Sequence, residues 1–211
     1  MFLLVGERVY SQAQDIGSFE CALCGKAEPF RHITETNYFC LFGIRLLKVD
    51  QHANYYRCER CGNSYLPDRP NLPSQIESVQ NVIAYILLGY GKHEQIDLAK
   101  DIAVKVSNVA MEADALKNLT RLYATSDDDF LEQLRRAAFH INLLGKQQII
   151  EAAFLATHAC CEIRFEDKTR INLMGNALDV SIEFVNQIVK SVRANDCYGI
   201  QRFLPTAPVN S

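Results

Sequence analysis

The sequence predicts an α+β protein, a small β-rich N-terminal segment followed by an all-helical one, and three observations carry that prediction. Apolar residues alternate in short, aromatic-rich pieces before residue 67 and recur at helical spacing after residue 74. Between these textures lies Pro67–Pro73, with three prolines in seven residues, which forbids a continuous helix or a central strand. The pattern Cys-x-x-Cys-Gly occurs twice, both times on the N-terminal side.

On that side the pieces Phe2–Tyr10, Phe30–Phe42, Ile44–Val49 and Tyr55–Arg57 suit short strands. The predicted organisation is a β domain over 1–67, a proline-rich linker over 68–73, a helical domain over 74–196 and a loose tail over 197–211. Ser74-Gln75-Ile76-Glu77 reads as a capping box opening a helix. Ile76, Val79, Val82, Ile83, Ile86 and Leu87 form its apolar side, and Gly89 and Gly91 end it. Glu94–Ser107 follows, then a weaker candidate at Val109–Tyr123. Ser126 with Asp127, Asp128 and Asp129 suits the positive N-terminal end of a helix that runs to about Gly145. Lys146–Ile163, Glu166–Leu178 and Ser181–Ala194 complete an all-helical set.

Composition narrows the function classes. Of 211 residues, 48% are hydrophobic and 22% charged, enough apolar material for a core and too little charge for a disordered chain. Residues 1–70 hold eight basic and eight acidic side chains, and the remainder fourteen and seventeen, with no basic cluster. A protein built mainly to grip phosphate backbones needs local positive charge, so that class is disfavoured. The apolar start Met1–Val5 is cut short by Gly-Glu-Arg, and Val82–Leu88 is too short for a bilayer span. A cytoplasmic protein is expected, and there eight cysteines point to metal binding and core packing before disulfides.

Cys21-Ala-Leu-Cys24-Gly25 and Cys58-Glu-Arg-Cys61-Gly62 are two copies of one turn. In such a turn both sulfurs face one point, and the glycine supplies the positive φ that the chain needs. Thirty-three residues separate the pairs, room for a hairpin or three-stranded ribbon to bring them together. Cys21, Cys24, Cys58 and Cys61 are therefore predicted to hold one structural Zn²⁺ in a closed tetrahedron. Iron is the minor alternative, since paired thiolate turns also suit it. Cys40 reads as a buried strand thiol, Cys160 and Cys161 as residues on a helix's apolar stripe, and Cys197 as an exposed thiol near the tail.

The opening Phe2–Val5 strand, the Tyr38-Phe39-x-Leu41-Phe42-Gly43-Ile44 run and Tyr55-Tyr56-x-Cys58-x-x-Cys61-Gly62 resemble the zinc-ribbon family found at the start of small bacterial proteins. That resemblance spans about residues 1–67. Leu143–Val192, with Glu162–Phe165 as a turn, Glu166-Asp167 opening a helix and Ala177-Leu178-Asp179-Val180-Ser181 before the last one, resembles the TerB-like (tellurite-resistance-associated) fold. The resemblance implies an acidic, cation-binding turn. Cys160-Cys161 stand where that family has Asp-Gly and Arg164 replaces a further acid, so only Glu162, Glu166 and Asp167 match.

The five histidines, His32, His52, His93, His140 and His158, are scattered, and no nucleophile-elbow, zincin or phosphate-loop pattern occurs. A non-enzymatic role is expected. The leading reading is a zinc-binding adaptor for protein partners, stress-response associated by its resemblance. Nucleic-acid binding through Lys26, Arg57, Arg60 and Tyr38, Tyr55, Tyr56 and Tyr65 is not favoured. Metal or metalloid handling by Cys160 and Cys161 or by the acidic turn is the third reading.

Overall fold

The computed structural model describes residues 5–112, 114, 119 and 127–203. The chain divides into two compact units, Met1–Gln75 with Arg136–Lys146, and Ile76–Arg135 with Gln147–Ser211. The α+β architecture is present: an antiparallel sheet is followed by helices, six among the described residues.

The sheet of the first unit runs β1 (Val5–Cys21), β2 (Lys26–Leu41), β3 (Ile44–Cys58), β4 (Ser64–Leu66) and β5 (Arg69–Pro73), each paired with the next. It curls, because β5 also approaches β1. The first three strands are far longer than their apolar pieces. Ser11–Asp15 has no apolar alternation and is exposed, yet it pairs residue for residue with Ile33 and its neighbours along β2. Backbone pairing, not burial, carries the strand there. Phe42 and Gly43, both at positive φ (53° and 82°), make the tight β2–β3 turn, a geometry matched to strand twist.

The expected linker at 68–73 is instead largely strand β5. Its prolines are tolerated because β5 ends the strand order and must donate few ladder hydrogen bonds. Residues 136–146 belong to the sheet's unit, where the amide of Asn54 donates to Phe139 O at 3.0 Å and His140 Nδ1 meets Asn54 O at 2.8 Å.

The helices are α1 (Ile76–Gly89), α2 (Ile96–Ser107), α3 (Asp127–Ala138), α4 (Leu143–Cys160), α5 (Phe165–Ala177) and α6 (Ile182–Ala194). The apolar stripe expected for α1 is buried. Its expected cap is not where the sequence put it: α1 starts at Ile76, and Ser74 Oγ lies 2.7 Å from Ser64 Oγ. Gly145 does not end a helix. It lies in the first turn of α4, where a Cβ would stand 2.6 Å from Ile141 Cγ2 and 3.0 Å from Gln75 Cβ, so this glycine serves close packing. Ser181 caps α6, accepting from the amide of Phe184 at 3.2 Å.

Most of the expected Val109–Tyr123 helix, Ser126 and residues 204–211 lie outside the described residues, as do the side chains of Asp127, Asp128 and Asp129. The first part of the expected loose tail is tied down. Lys105 Nζ donates to Tyr198 O at 2.6 Å, and the amide of Phe203 donates to Ala159 O at 2.9 Å. Among the described residues no helix is long and apolar enough to cross a membrane.

Candidate metal centre

The two cysteine turns meet because the sheet places their strand ends side by side. β1 ends on Cys21, which pairs with Lys26 at the start of β2, and β3 ends on Cys58, which pairs with Phe30. In the first turn the amides of Cys24 and Gly25 donate to Cys21 O at 3.2 and 2.9 Å. In the second, the amide of Gly62 donates to Cys58 O at 3.0 Å, and the amide of Glu59 reaches Pro29 O at 3.0 Å, tying this turn to β2. Gly25 and Gly62 take φ of 67° and 73°, the left-handed conformation that closes each knuckle.

The sulfurs of Cys21, Cys24, Cys58 and Cys61 all lie within 4.8 Å of one another and can hold a metal ion; among the described residues they form the one such group. All eight cysteines are free thiols. Cys21 Sγ and Cys61 Sγ are 3.7 Å apart. That is close to the roughly 3.8 Å edge of a tetrahedron with bonds of about 2.3 Å, the length of a zinc–thiolate bond.

The thiols of Cys21, Cys24 and Cys58 differ in acidity. Burial pushes the Cys21 thiol up, but hydrogen bonds from the Tyr65 hydroxyl and the Cys24 amide outweigh it and bring it down to about 7. Cys24 is pushed up to about 12, by burial first and then by the neighbouring sulfurs, and Cys58 also rises, chiefly by burial. One thiolate therefore forms readily while its neighbours resist. Four thiolates at this spacing require a positive charge among them.

Cys21, Phe30, Cys58 and Tyr65 form the buried core beneath the site, with Phe19, Leu23 and Tyr56 packed against it. Tyr65 was legible only as an aromatic beside Cys61; nothing local marked it as a sulfur's partner. Asn142 was not legible at all. Its Nδ2 donates to Gly62 O at 2.6 Å, its amide to Ser64 Oγ at 3.1 Å, and its Oδ1 accepts from the Gly145 amide at 3.0 Å. It thus brackets the second knuckle from 80 residues away.

The other candidates separate. Glu162 and Glu166 are exposed, and Asp167 is turned inward, where Oδ2 accepts from the Arg164 amide at 2.8 Å and Oδ1 from the Tyr90 hydroxyl. Cys161 Sγ lies 3.7 Å from Asp167 Oδ2. Burial opposes ionisation of Asp167, but the bonds from Tyr90, Arg164 and Cys161 prevail and hold it below the usual carboxylate range. The bond from the Arg164 amide makes Asp167 the third-residue half of the N-terminal capping arrangement of α5. Cys160 is pushed up to about 12 by burial and then by Cys161, so it stays a thiol.

Five of the seven residues considered for nucleic acid are paired or buried. Arg60 and Lys26 pair with Glu28 at 3.0 and 3.5 Å, Arg57 pairs with Glu59 at 2.8 Å, and Tyr55 and Tyr65 are buried. Comparison with family models, curated proteins and solved structures gave no match.

Proposed function

We propose that the chain is a non-enzymatic adaptor whose Cys₄ site holds one structural zinc ion, and whose sheet docks an amphipathic, acid-flanked helix of a partner protein. Zinc is the preferred ion because a closed four-thiolate set is the ligand set of structural zinc sites, although the sulfur geometry suits tetrahedral iron as well. The ion stabilises a small sheet with little core of its own. The zinc-ribbon and TerB-like resemblances agree with such a role and do not carry it.

The carrying observation is the far end of the ribbon. Phe42, Ile44, Leu46, Leu47 and Val49 are all half or more exposed, Ile44 and Leu47 at 66 and 67%. The pairings Val9↔Asn37, Phe39↔Leu47 and Leu41↔Ile44 place Val9, Phe39, Leu41, Ile44 and Leu47 on one face, together with Glu7, which pairs with Phe39 and accepts from Asn37 Nδ2 at 2.7 Å. Arg8, Tyr38, Arg45 and Lys48 fall on the opposite face, where the Arg45 guanidinium stacks 4.2 Å over the Tyr10 ring. No acid occurs between residues 36 and 49. An apolar face this concentrated marks an interaction surface, and Arg8, Arg45 and Lys48 on the reverse of the same strands favour a partner whose apolar face is flanked by acids.

The geometry favours the face over the edge. Leu46, Val49 and His52 are each an extra residue in β3 relative to β2, three bulges that break a regular row of backbone donors and acceptors. A helix laid across the apolar face covers it without using that edge.

The test replaces Leu47 by a photo-crosslinking phenylalanine derivative in the full chain in cells, followed by mass spectrometry of the adduct. An adduct on an amphipathic, acid-flanked helix, lost when Ile44→Lys is added, is the expected result. Self-adducts with concentration-dependent dimers, adducts confined to lipid, or none at all overturn the reading.

A further inference from the structure

The helical unit contains a pocket that the adaptor role does not use. We propose that it binds a small amphipathic carboxylate, an organic acid with a short acyl or aryl body. The pocket measures about 330 Å³ and lies between α5 and α6, with Phe154 of α4 at its base. That volume is at the lower end of the range of roughly 300–1,000 Å³ usual for small-molecule pockets.

Its walls divide by chemistry. Phe154, Ile171 and Val185 are buried and, with Val189, give an apolar floor. Lys168, Lys190 and Arg193 stand around this floor, accompanied by the neutral Asn172 and Asn186, and no carboxylate lines the pocket. None of the three cations forms an ion pair among the described residues. Arg193 is instead held over the Phe154 ring, its guanidinium carbon 5.3 Å from the centroid, at the boundary between the apolar floor and the polar rim.

The charge is specific to the place. Residues 71–211 carry seventeen acids against fourteen bases, so a rim of three cations without an acid reverses the local balance. Lysines and an arginine around a carboxylate give charge-assisted hydrogen bonds, and the asparagine amides supply neutral donors beside them. A polyphosphate fits poorly, because the floor offers it no donors. A neutral or cationic apolar ligand leaves the rim unsatisfied or repels it. An apolar body with one anionic end matches both halves.

The probe is octanoate, titrated into the isotopically labelled full chain and followed by amide and methyl NMR, with octylamine of the same chain length as the control. Saturable shifts at Ile171, Val185 and Val189 with octanoate, and none there with octylamine, are expected. Lys168→Gln with Lys190→Gln, both at exposed side chains whose loss leaves the core intact, weakens octanoate at least about tenfold. Val189→Phe, which fills the cavity, abolishes the shifts while the melting temperature holds. Equal binding of acid and amine, shifts located elsewhere, or unchanged affinity in the double lysine variant overturns the assignment.

Discussion

The Tyr65 hydroxyl lies 3.0 Å from Cys21 Sγ, and both residues are fully buried. Burial and then the bond to Cys21 push the Tyr65 hydroxyl far above its ordinary range, so it keeps its proton and donates it to the sulfur. This bond is the first of several hydrogen bonds, with those of Cys24 and Cys58, that make Cys21 the most acidic of the shifted cysteine thiols.

From that contact follows a first prediction. Tyr65→Phe retains the ring packed 5.2 Å from Phe30 and removes only the donor. Metal affinity should fall by about 10- to 100-fold, the usual effect of losing a group that orients a ligand. Competition against a chromophoric chelator measures it. Unchanged affinity would mean that the hydroxyl serves packing alone.

A second prediction concerns Asn142, whose side chain holds Gly62 O and the amide of Gly145 together. Asn142→Ala removes the donor to Gly62 O and the Oδ1 that accepts from the buried Ser64 hydroxyl at 3.4 Å, while the backbone amide still reaches Ser64, and this costs about 2–3 kcal/mol. Thermal unfolding should show that loss, and chelator-induced metal release should accelerate several-fold because the second knuckle is no longer bracketed. Leu47→Lys, at the far end of β3, should change neither quantity.

These two residues also mark what the sequence could and could not reveal. Cys21, Cys24, Cys58 and Cys61 were legible because each pair's spacing is a local fact and the glycine after it states the turn. The stripe of α1 was legible for the same reason, since Ile76 to Leu87 repeats within a few turns. Strand β1 was half hidden: Ser11–Asp15 is a strand because β2 lies beside it, and no residue in it says so. Gly145 was misleading, because a glycine that admits a neighbour's side chain and one that ends a helix look alike in sequence. Proline at 70 and 73 misled likewise, since a linker and an edge strand tolerate it equally.

A third prediction rests on Glu151, which is only 6% exposed and accepts from Gln147 Nε2 at 2.8 Å and from the Tyr198 hydroxyl. Burial raises its carboxyl above the usual range, and the two hydrogen bonds only partly offset this. The folded protein therefore holds this proton more tightly than the unfolded chain. Stability from this group is fully present below the ordinary glutamate range and falls as pH rises through the raised value. Glu151→Gln removes the titration and keeps an acceptor oxygen for Gln147 Nε2. It should raise stability by on the order of 1 kcal/mol at pH 8 and leave it unchanged near pH 3, measured by urea unfolding at both values. A variant equally stable or weaker at pH 8 would show that the carboxylate is solvated when charged.

The fourth prediction tests how α5 and α6 pack. A Cβ built on Gly175 would stand 2.4 Å from Val185 Cγ2, nearer than real atoms approach, and Val185 is buried and stiff at χ1. Glycine is otherwise costly inside a helix, by roughly 0.5–1 kcal/mol relative to alanine, so its presence here reflects the close crossing. Gly175→Ala should destabilise by about 1–3 kcal/mol despite its better helix propensity. Val185→Ala should destabilise too, through the lost methyl groups. In the double variant the new methyl occupies space that Val185 vacates, so the two losses should not add. A coupling energy of at least about 1 kcal/mol in the cycle is expected for side chains in direct contact. Strict additivity would mean that the helices separate to admit the methyl, and the crossing would then be looser than its geometry implies.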